Sequence, residues 1–275
     1  PVVEAALKKS GIPKTALDGI AFTQGPGLLG SLMVGHSFAR TLSLALNCKL
    51  LAVNHLHGHH LSHFIESPFP PFPFLNLLVS GGHAQIVRVN GPLAYEVLGQ
   101  TIDDAAGEAL DKGAQMLGLP YPGGPAIDQQ ARNGDPNAFQ FPESNVKGYN
   151  FSFSGLKTAL LYFLRDQIKR EPDFIDRNLA DLCASYQGVV IRTLLTKLSN
   201  AAHDFGIQSI GIAGGVAANH KLREQLQALA HDNGWQVYMP AMPYCTDNAA
   251  MISRVGLAQY LEKQWVSQRI TPFSR

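Results

Sequence analysis

Cysteine is scarce in this chain of 275 residues: there are three, Cys48, Cys183 and Cys245. An odd number without C-x-x-C spacing excludes a disulfide framework and a cysteine-rich zinc site, and it fits a reducing compartment. Charge is scarce too. Charged residues make up 16% of the sequence, well under the roughly 25% of an average soluble domain, which leaves part of the surface for partners to cover. The formal net charge of +1 excludes a bulk polyanion-binding character, so any nucleic-acid contact comes from a local patch or from partner subunits. Long apolar runs are missing as well. None approaches the roughly 18 to 20 residues that cross a bilayer, and the longest apolar helix candidate contains His36 and Arg40. No segment reads as a secretory signal. The expected location is the cytoplasm, with no membrane partner.

What is present is an alternation of strands and helices broken by glycine loops. A short strand over Gly19–Phe22 runs through Gln24-Gly25-Pro26-Gly27 into a helix on which Leu32, Val34, Phe38, Leu42 and Leu46 recur at helical spacing. Leu50–Val53 is the next strand. Phe74–Ser80 and Ala84–Val89 flank Gly81-Gly82-His83 and read as a hairpin whose glycines are free to take positive φ. A helix over Ala105–Leu117 leads to Tyr121-Pro122-Gly123-Gly124-Pro125 and a second helix over Ala126–Arg132. Residues 133–150 read as irregular. Helical patterns over Leu156–Lys169 and Leu179–Phe205 precede the strand Ser209–Ala213, the loop Gly214–Asn219 and a helix over Lys221–Asn233. Trp235–Met239 reads as a strand, and Thr246 or Asp247 is placed to cap the final helix. The class is α/β.

The densest polar signal is Asn54-His55-Leu56-His57-Gly58-His59-His60-Leu61-Ser62-His63. His55 and His59 stand at i and i+4, so both imidazoles project from one helical face and can share a metal; His59 and His63 repeat the spacing. Alone, such a pair is more often an incidental polar helix start, and two ligands need a third. The H-E-x-x-H metalloproteases place a glutamate beside the first histidine as general base. Leu56 stands there instead, and Glu66 is too far along to replace it, which disfavours proteolysis.

The loops Gly25–Gly30, Ser80–Gly82, Gly123-Gly124 and Gly214-Gly215 offer amides to a phosphate. Each alone is an ordinary turn; four in an α/β chain point to a nucleotide in a cleft. Asp103, Asp104, Glu108 and Asp111 form an acidic run that reads mostly as a solvated face, although Asp111 beside Gly123-Gly124 is placed to bind ribose hydroxyls. Lys147, Lys157, Arg165, Lys169 and Arg170 suit phosphate-backbone contacts or an ordinary exposed helix equally.

Read together, eight segments in order resemble the tRNA adenosine threonylcarbamoyltransferase family, formerly called O-sialoglycoprotein endopeptidases. They are Gln24–Leu28, Asn54–His59, Leu78–His83, Ile102–Ala109, Tyr121–Pro125, Phe151–Lys157, Gly214–Asn219 and Cys245–Asn248. The resemblance implies a two-lobed actin/sugar-kinase/Hsp70-like fold, with the remainder of an N-terminal lobe over 1–75 and a C-terminal lobe over 76–275. The family opens with a strand and hairpin carrying a Gly-x-Glu-Thr-Ser segment that has no counterpart here, so the first strands of the N-terminal lobe are expected to be missing.

The resemblance also implies the chemistry: transfer of a threonylcarbamoyl group from threonylcarbamoyl-AMP to N6 of the adenosine at position 37 of tRNAs reading codons that start with A. It assigns His55, His59 and Asp247 as ligands of one divalent transition metal per subunit, iron or zinc. Leu78, Val79, Ser80, Gly81, Gly82, Asp111, Gly124 and Asn219, with Asp128 in addition, are assigned to the acyl-adenylate. His57, His60 and His63 match no ligand position, and no residue is assigned as a general base. Expected partners are tRNA, a paralogous subunit of the same fold and a small ATPase. The alternatives are an ATPase or kinase of the same superfamily, which holds magnesium through carboxylates rather than imidazoles, and a non-catalytic binding subunit of the same assembly.

Overall fold

The computed structural model describes residues 2–274. The chain runs through α1 (Val2–Ser10), β1 (Gly19–Gly25), α2 (Leu29–Leu46), β2 (Lys49–Asn54) and α3 (His55–Leu61), then β3 (Phe74–Val79), β4 (Ala84–Gly91) and β5 (Ala94–Gln100). Helices α4 (Ala106–Met116), α5 (Gly123–Ala131), α6 (Ser154–Ile168) and α7 (Phe174–Phe205) follow. The chain then forms β6 (Ser209–Ala213), α8 (His220–Asn233), β7 (Gln236–Tyr238), α9 (Met242–Cys245) and α10 (Ala249–Leu261). No described helix is long and apolar enough to cross a membrane.

The chain forms two compact units, Pro1–Ile65 with Asn248–Arg275, and Glu66–Asp247. This division differs from the boundary at residue 75 read from the sequence, because α10 folds back onto the first unit. In that unit β1 and β2 pair in parallel, with Ile20 opposite Leu50 and Phe22 opposite Ala52. Phe22, Ala39, Leu50 and Ala52 form a small core with Ile20, Val266 and Ile270 packed against it. Helix α10 buries Met251, Ile252, Val255 and Gly256. A Cβ on Gly256 would lie 2.5 Å from the Cβ of Ala21, so glycine sets the closeness of helix and strand. A Cβ on Gly58 would meet Ile252 Cδ1 at 3.0 Å and Met251 Cγ at 3.1 Å, so the glycine inside the histidine motif lets α10 settle on α3.

The second unit is built on a five-stranded sheet in the order β5-β4-β3-β6-β7. The β3–β4 and β4–β5 pairs are antiparallel, while β3–β6 and β6–β7 are parallel. All six residues of β3 are buried, as expected for a central strand covered on both faces. Leu75, Leu77, Val79, Ile210 and Ile212 of the sheet share one core with Leu110 of α4, Ile127 of α5, Leu160 of α6, Tyr186 and Leu194 of α7, and Leu222 of α8. Tyr186 also donates from its hydroxyl to the Ala109 carbonyl at 2.9 Å, which satisfies the polar end of a fully buried ring.

Several elements differ from their sequence reading. Strand β5 is additional; most of its residues are exposed, so it lacks an apolar signal. Helix α7 begins at Phe174 and runs for 32 residues. Helix α5 begins at Gly123, so Gly123-Gly124 is a first helical turn and not a loop. Neither Gly81 nor Gly82 takes positive φ. The hairpin is closed by Ser80 N donating to the His83 carbonyl at 2.8 Å, with the Ser80 hydroxyl accepting from His83 N at 3.1 Å.

Candidate functional site

The loops converge at the carboxyl ends of β3 and β6 in the second unit, where open parallel arrangements bind ligands. Leu78 and Val79 end β3 with fully buried side chains; what they contribute is the position of the strand end. Beyond them, Gly107 N at the start of α4 donates to the Ser80 carbonyl at 3.2 Å. A Cβ on Gly107 would lie 2.6 Å from that oxygen, which fixes α4 against the turn. Gly214 has φ +91, and a side chain there would collide with the Val79 carbonyl, so the β6 loop passes directly beside β3. The space where Cβ atoms would sit on Gly81, Gly82 and Gly215 is open.

Asp111 lies one helical turn beyond Gly107. Its Oδ1 accepts from Gly123 N at 2.8 Å and from Gly124 N at 3.1 Å. Pro122, the N-cap residue of α5, supplies no side-chain cap; a carboxylate from α4 satisfies the orphan amides and complements the positive helix end. Asn219 is similarly engaged. Its Oδ1 caps α8 by accepting from Leu222 N at 2.9 Å, and its Nδ2 donates to buried Gln187 Oε1 at 2.6 Å. Asp128 is buried on α5, with Oδ2 accepting from the His220 ring Nδ1 at 2.7 Å and Oδ1 accepting no hydrogen bond among the described residues. The arrangement thus brings together the strand ends, the glycine turns, Asp111, Gly124, Asp128 and Asn219.

The acidic run divides into separate tasks. Lys112 Nζ bridges Asp104 at 2.7 Å and Glu108 at 2.9 Å. Asp103 reaches across to the next motif, accepting from Phe153 N at 2.8 Å and Ser154 N at 3.4 Å and from the Ser152 hydroxyl. Burial alone raises the Asp103 carboxyl, but these hydrogen bonds outweigh it and hold the group below its ordinary range. Of the basic cluster, Arg165 pairs with Asp166 at 3.0 Å and stacks over Tyr162.

In the first unit, α3 starts at His55 because Asn54 Oδ1 caps Leu56 N at 2.8 Å. One turn places the His55 and His59 rings edge to face, with centroids 4.8 Å apart. The residue capping α10 is Asn248, whose Oδ1 accepts from Met251 N at 2.8 Å; neither Thr246 nor Asp247 serves. Asp247 directly precedes that cap. Ligand atoms of His55, His59 and Asp247 all lie within 4.8 Å of one another. Ligands about 2.0–2.2 Å from one ion stand no more than roughly 4.4 Å apart, so the set closes on a metal with shifts of a few tenths of an ångström. Two imidazoles and a carboxylate suit zinc or iron. Burial lowers His57 to about 4 and pushes His60 well below its ordinary value, so both are neutral at neutral pH. Glu66 accepts from the Tyr244 hydroxyl at 3.1 Å.

Sequence reasoning missed Gln187, His220, Arg132 and Arg223. Only His220 carried a signal, through its place directly after Asn219; the others meet the site across long stretches of chain.

Residues 1–254 match the model of the family TsaD, tRNA N6-adenosine threonylcarbamoyltransferase. The chain is 53% identical over 280 residues to the tRNA N6-adenosine threonylcarbamoyltransferase of Porphyromonas gingivalis, covering 100% of this chain and 82% of that protein. It is 50% identical to the protein of the same name from Cytophaga hutchinsonii, covering 100% and 80% respectively. Among solved structures it is similar to full-length HypF in its phosphate- and nucleotide-bound form, with a TM-score of 0.68 at 12% identity over 94% of this chain and 41% of that one. HypF of T. kodakarensis gives a TM-score of 0.60 at 16% identity, over 84% and 39%. At such identities the likeness is one of fold, and it agrees with a mixed-sheet α/β architecture of the actin/sugar-kinase/Hsp70 type.

Proposed function

The chain belongs to the tRNA N6-adenosine threonylcarbamoyltransferase family, and from that premise we propose how its residues divide the work of transfer. It is a transferase of tRNA modification, acting in threonylcarbamoyladenosine synthesis. The donor is threonylcarbamoyl-AMP and the acceptor is N6 of adenosine 37 in tRNAs reading codons that start with A. The amine attacks the carbamoyl carbonyl, a C–N bond forms, the bond from that carbon to the phosphate oxygen breaks, AMP leaves and N6 releases a proton to solvent.

The second unit holds the adenylate. Amides of Gly81, Gly82 and the Gly214-Gly215 turn face a phosphate whose charge grows as it departs, and donors preset for that charge lower the barrier. Asp111 keeps Oδ2 for a ribose hydroxyl while Oδ1 holds the first turn of α5, and Asp128 presents Oδ1 as a further acceptor. Asn219, fixed by Gln187, lines the pocket without turning. Orientation supplies much of the rate, because an activated carbamate and an amine need little proton transfer. When bound by His55, His59 and Asp247, an iron or zinc ion supplies Lewis acidity and a point of attachment for the threonyl group. The site acts in the cytoplasm with a paralogous subunit and a small ATPase as partners.

The observation that carries this reading is the meeting of His55, His59 and Asp247, since nucleotide loops alone serve a kinase equally well. Elemental analysis of the purified protein beside His59→Ala tests it, together with transfer from threonylcarbamoyl-AMP to unmodified tRNA. About one metal per chain, lost in the variant along with transfer, is the expected result. Equal metal content and equal transfer in both proteins would remove the metal from the reading.

A further inference from the structure

Arg223 lies on α8, one turn beyond Asn219, and its guanidinium spans two segments of the second unit. Nε donates to the Ala217 carbonyl at 2.7 Å. Nη2 donates to the Pro240 carbonyl at 2.9 Å and lies 3.0 Å from Cys245 Sγ. Ala217 belongs to the turn that begins at Gly214 and ends at Asn219. Pro240 lies two residues before α9 and Cys245 ends it; Cys245, fully buried, precedes Asp247 by two residues. Helix α9 is a single turn of four residues, and one turn has little stability of its own. The planar Arg223 side chain bonds to the Gly214–Asn219 turn on one side and to Pro240 and α9 on the other.

We infer that Arg223 is a positioning residue for the transfer, holding the adenylate turn at Ala217–Asn219 in register with the Pro240–Asp247 segment that ends in the metal donor. The inference rests on the site reading given above. Three contacts in two directions need the rigid fork of a guanidinium; a lysine ammonium keeps the charge but reaches one segment at a time. With the fork in place, whatever orders the Asp247 segment also orders the adenylate turn. Metal and nucleotide therefore bind cooperatively, and by linkage each raises the affinity of the other by the same factor.

The test is calorimetric titration of AMP into the full chain, loaded with Zn2+ and again after chelation, for the unaltered protein, Arg223→Lys, Arg223→Met and Cys245→Ser. Removing Zn2+ is expected to weaken AMP binding by about fivefold or more in the unaltered protein, the low end of ordinary coupling. The same ratio is expected in Cys245→Ser, which keeps an acceptor. In Arg223→Lys it falls below about twofold, while the circular dichroism and unfolding midpoint stay close to those of the parent. A purely structural arginine would shift the midpoint and leave the ratio alone. Equal ratios in parent and lysine variant, or no linkage in the parent, overturn the inference. If Arg223→Met fails to fold, the lysine variant decides. His59→Ala separates the two levels: if it keeps Zn2+, the site reading itself fails. If it loses Zn2+ while the Arg223 variants keep the ratio, only the role of Arg223 falls.

Discussion

Asp128 and His220, 92 residues apart in sequence, are joined by a 2.7 Å hydrogen bond from the imidazole Nδ1 to Oδ2. The bond is made when Nδ1 carries the ring proton. Arg132 Nη2 lies 3.0 Å from Nδ1 and 3.5 Å from Nε2 of the same ring. Asp128 Oδ1 is buried and accepts no hydrogen bond among the described residues, which costs stability; on the proposed reading this oxygen accepts from the adenylate. Asp128→Asn is expected to change unfolding free energy by less than about 1 kcal/mol while weakening AMP binding roughly 10- to 100-fold, the worth of a hydrogen bond to a charged group. Unchanged AMP affinity would assign Asp128 to structure alone.

Asp111 is predicted to show a loss on both counts. Its Oδ1 supplies the cap that Pro122 cannot, so Asp111→Ala should lower stability by about 0.5–2 kcal/mol, the range for losing a helix cap. Asp111→Asn, which keeps one acceptor, should lose less. Urea unfolding measures the first effect and AMP titration the second. A stable Asp111→Ala protein with normal AMP affinity would contradict the double role.

Gly58 is predicted to matter for metal retention more than for folding. The atoms its Cβ would meet, Ile252 Cδ1 and Met251 Cγ, belong to flexible side chains. Gly58→Ala should therefore cost only about 1 kcal/mol of overpacking, yet it presses on the start of α10, which follows Asp247. Zn2+ should dissociate faster from Gly58→Ala in competition with a chelator. Gly256→Ala, against Ala21, should lose more stability. Equal Zn2+ loss from Gly58→Ala and the parent would show that α10 does not set the donor geometry.

The features legible in the sequence were those written locally. The i,i+4 spacing of His55 and His59 and the buried run of β3 each need only a few neighbouring residues, and the class of fold followed from the alternation of strands and helices. What was illegible came from distant partners. Gly123-Gly124 reads as a loop until Asp111 supplies its cap, and Asn248 hides behind two equally good cap residues. Strand β5 shows no apolar alternation because most of its residues are exposed. The return of α10 to the first unit depends on Gly256 meeting Ala21, a contact that no pattern within either segment announces.

The Asp103 clasp gives a pH prediction. Its carboxyl is held below the ordinary range when folded, so the stability it contributes is fully present above the unfolded value of about 3.9 and is lost as pH falls through the lower folded value. Asp103→Asn should unfold at lower temperature than the parent at pH 7, with the difference shrinking as pH drops from about 4 toward 2. A gap between the two midpoints that stays constant over that range would show that the clasp does not depend on ionisation.

Because α10 belongs with β1 and β2 while Glu66–Asp247 forms a unit of its own, the second unit is an insertion within the first along the chain. A ribosome adding about 5–20 residues per second exposes the histidine pair roughly 10 to 40 seconds before it makes Asp247. During that interval a nascent chain can offer a metal two imidazoles and no carboxylate. On the proposed metal reading, the three-residue donor set is therefore complete only once Asp247 has been made, which makes acquisition of an ion a late event in biosynthesis.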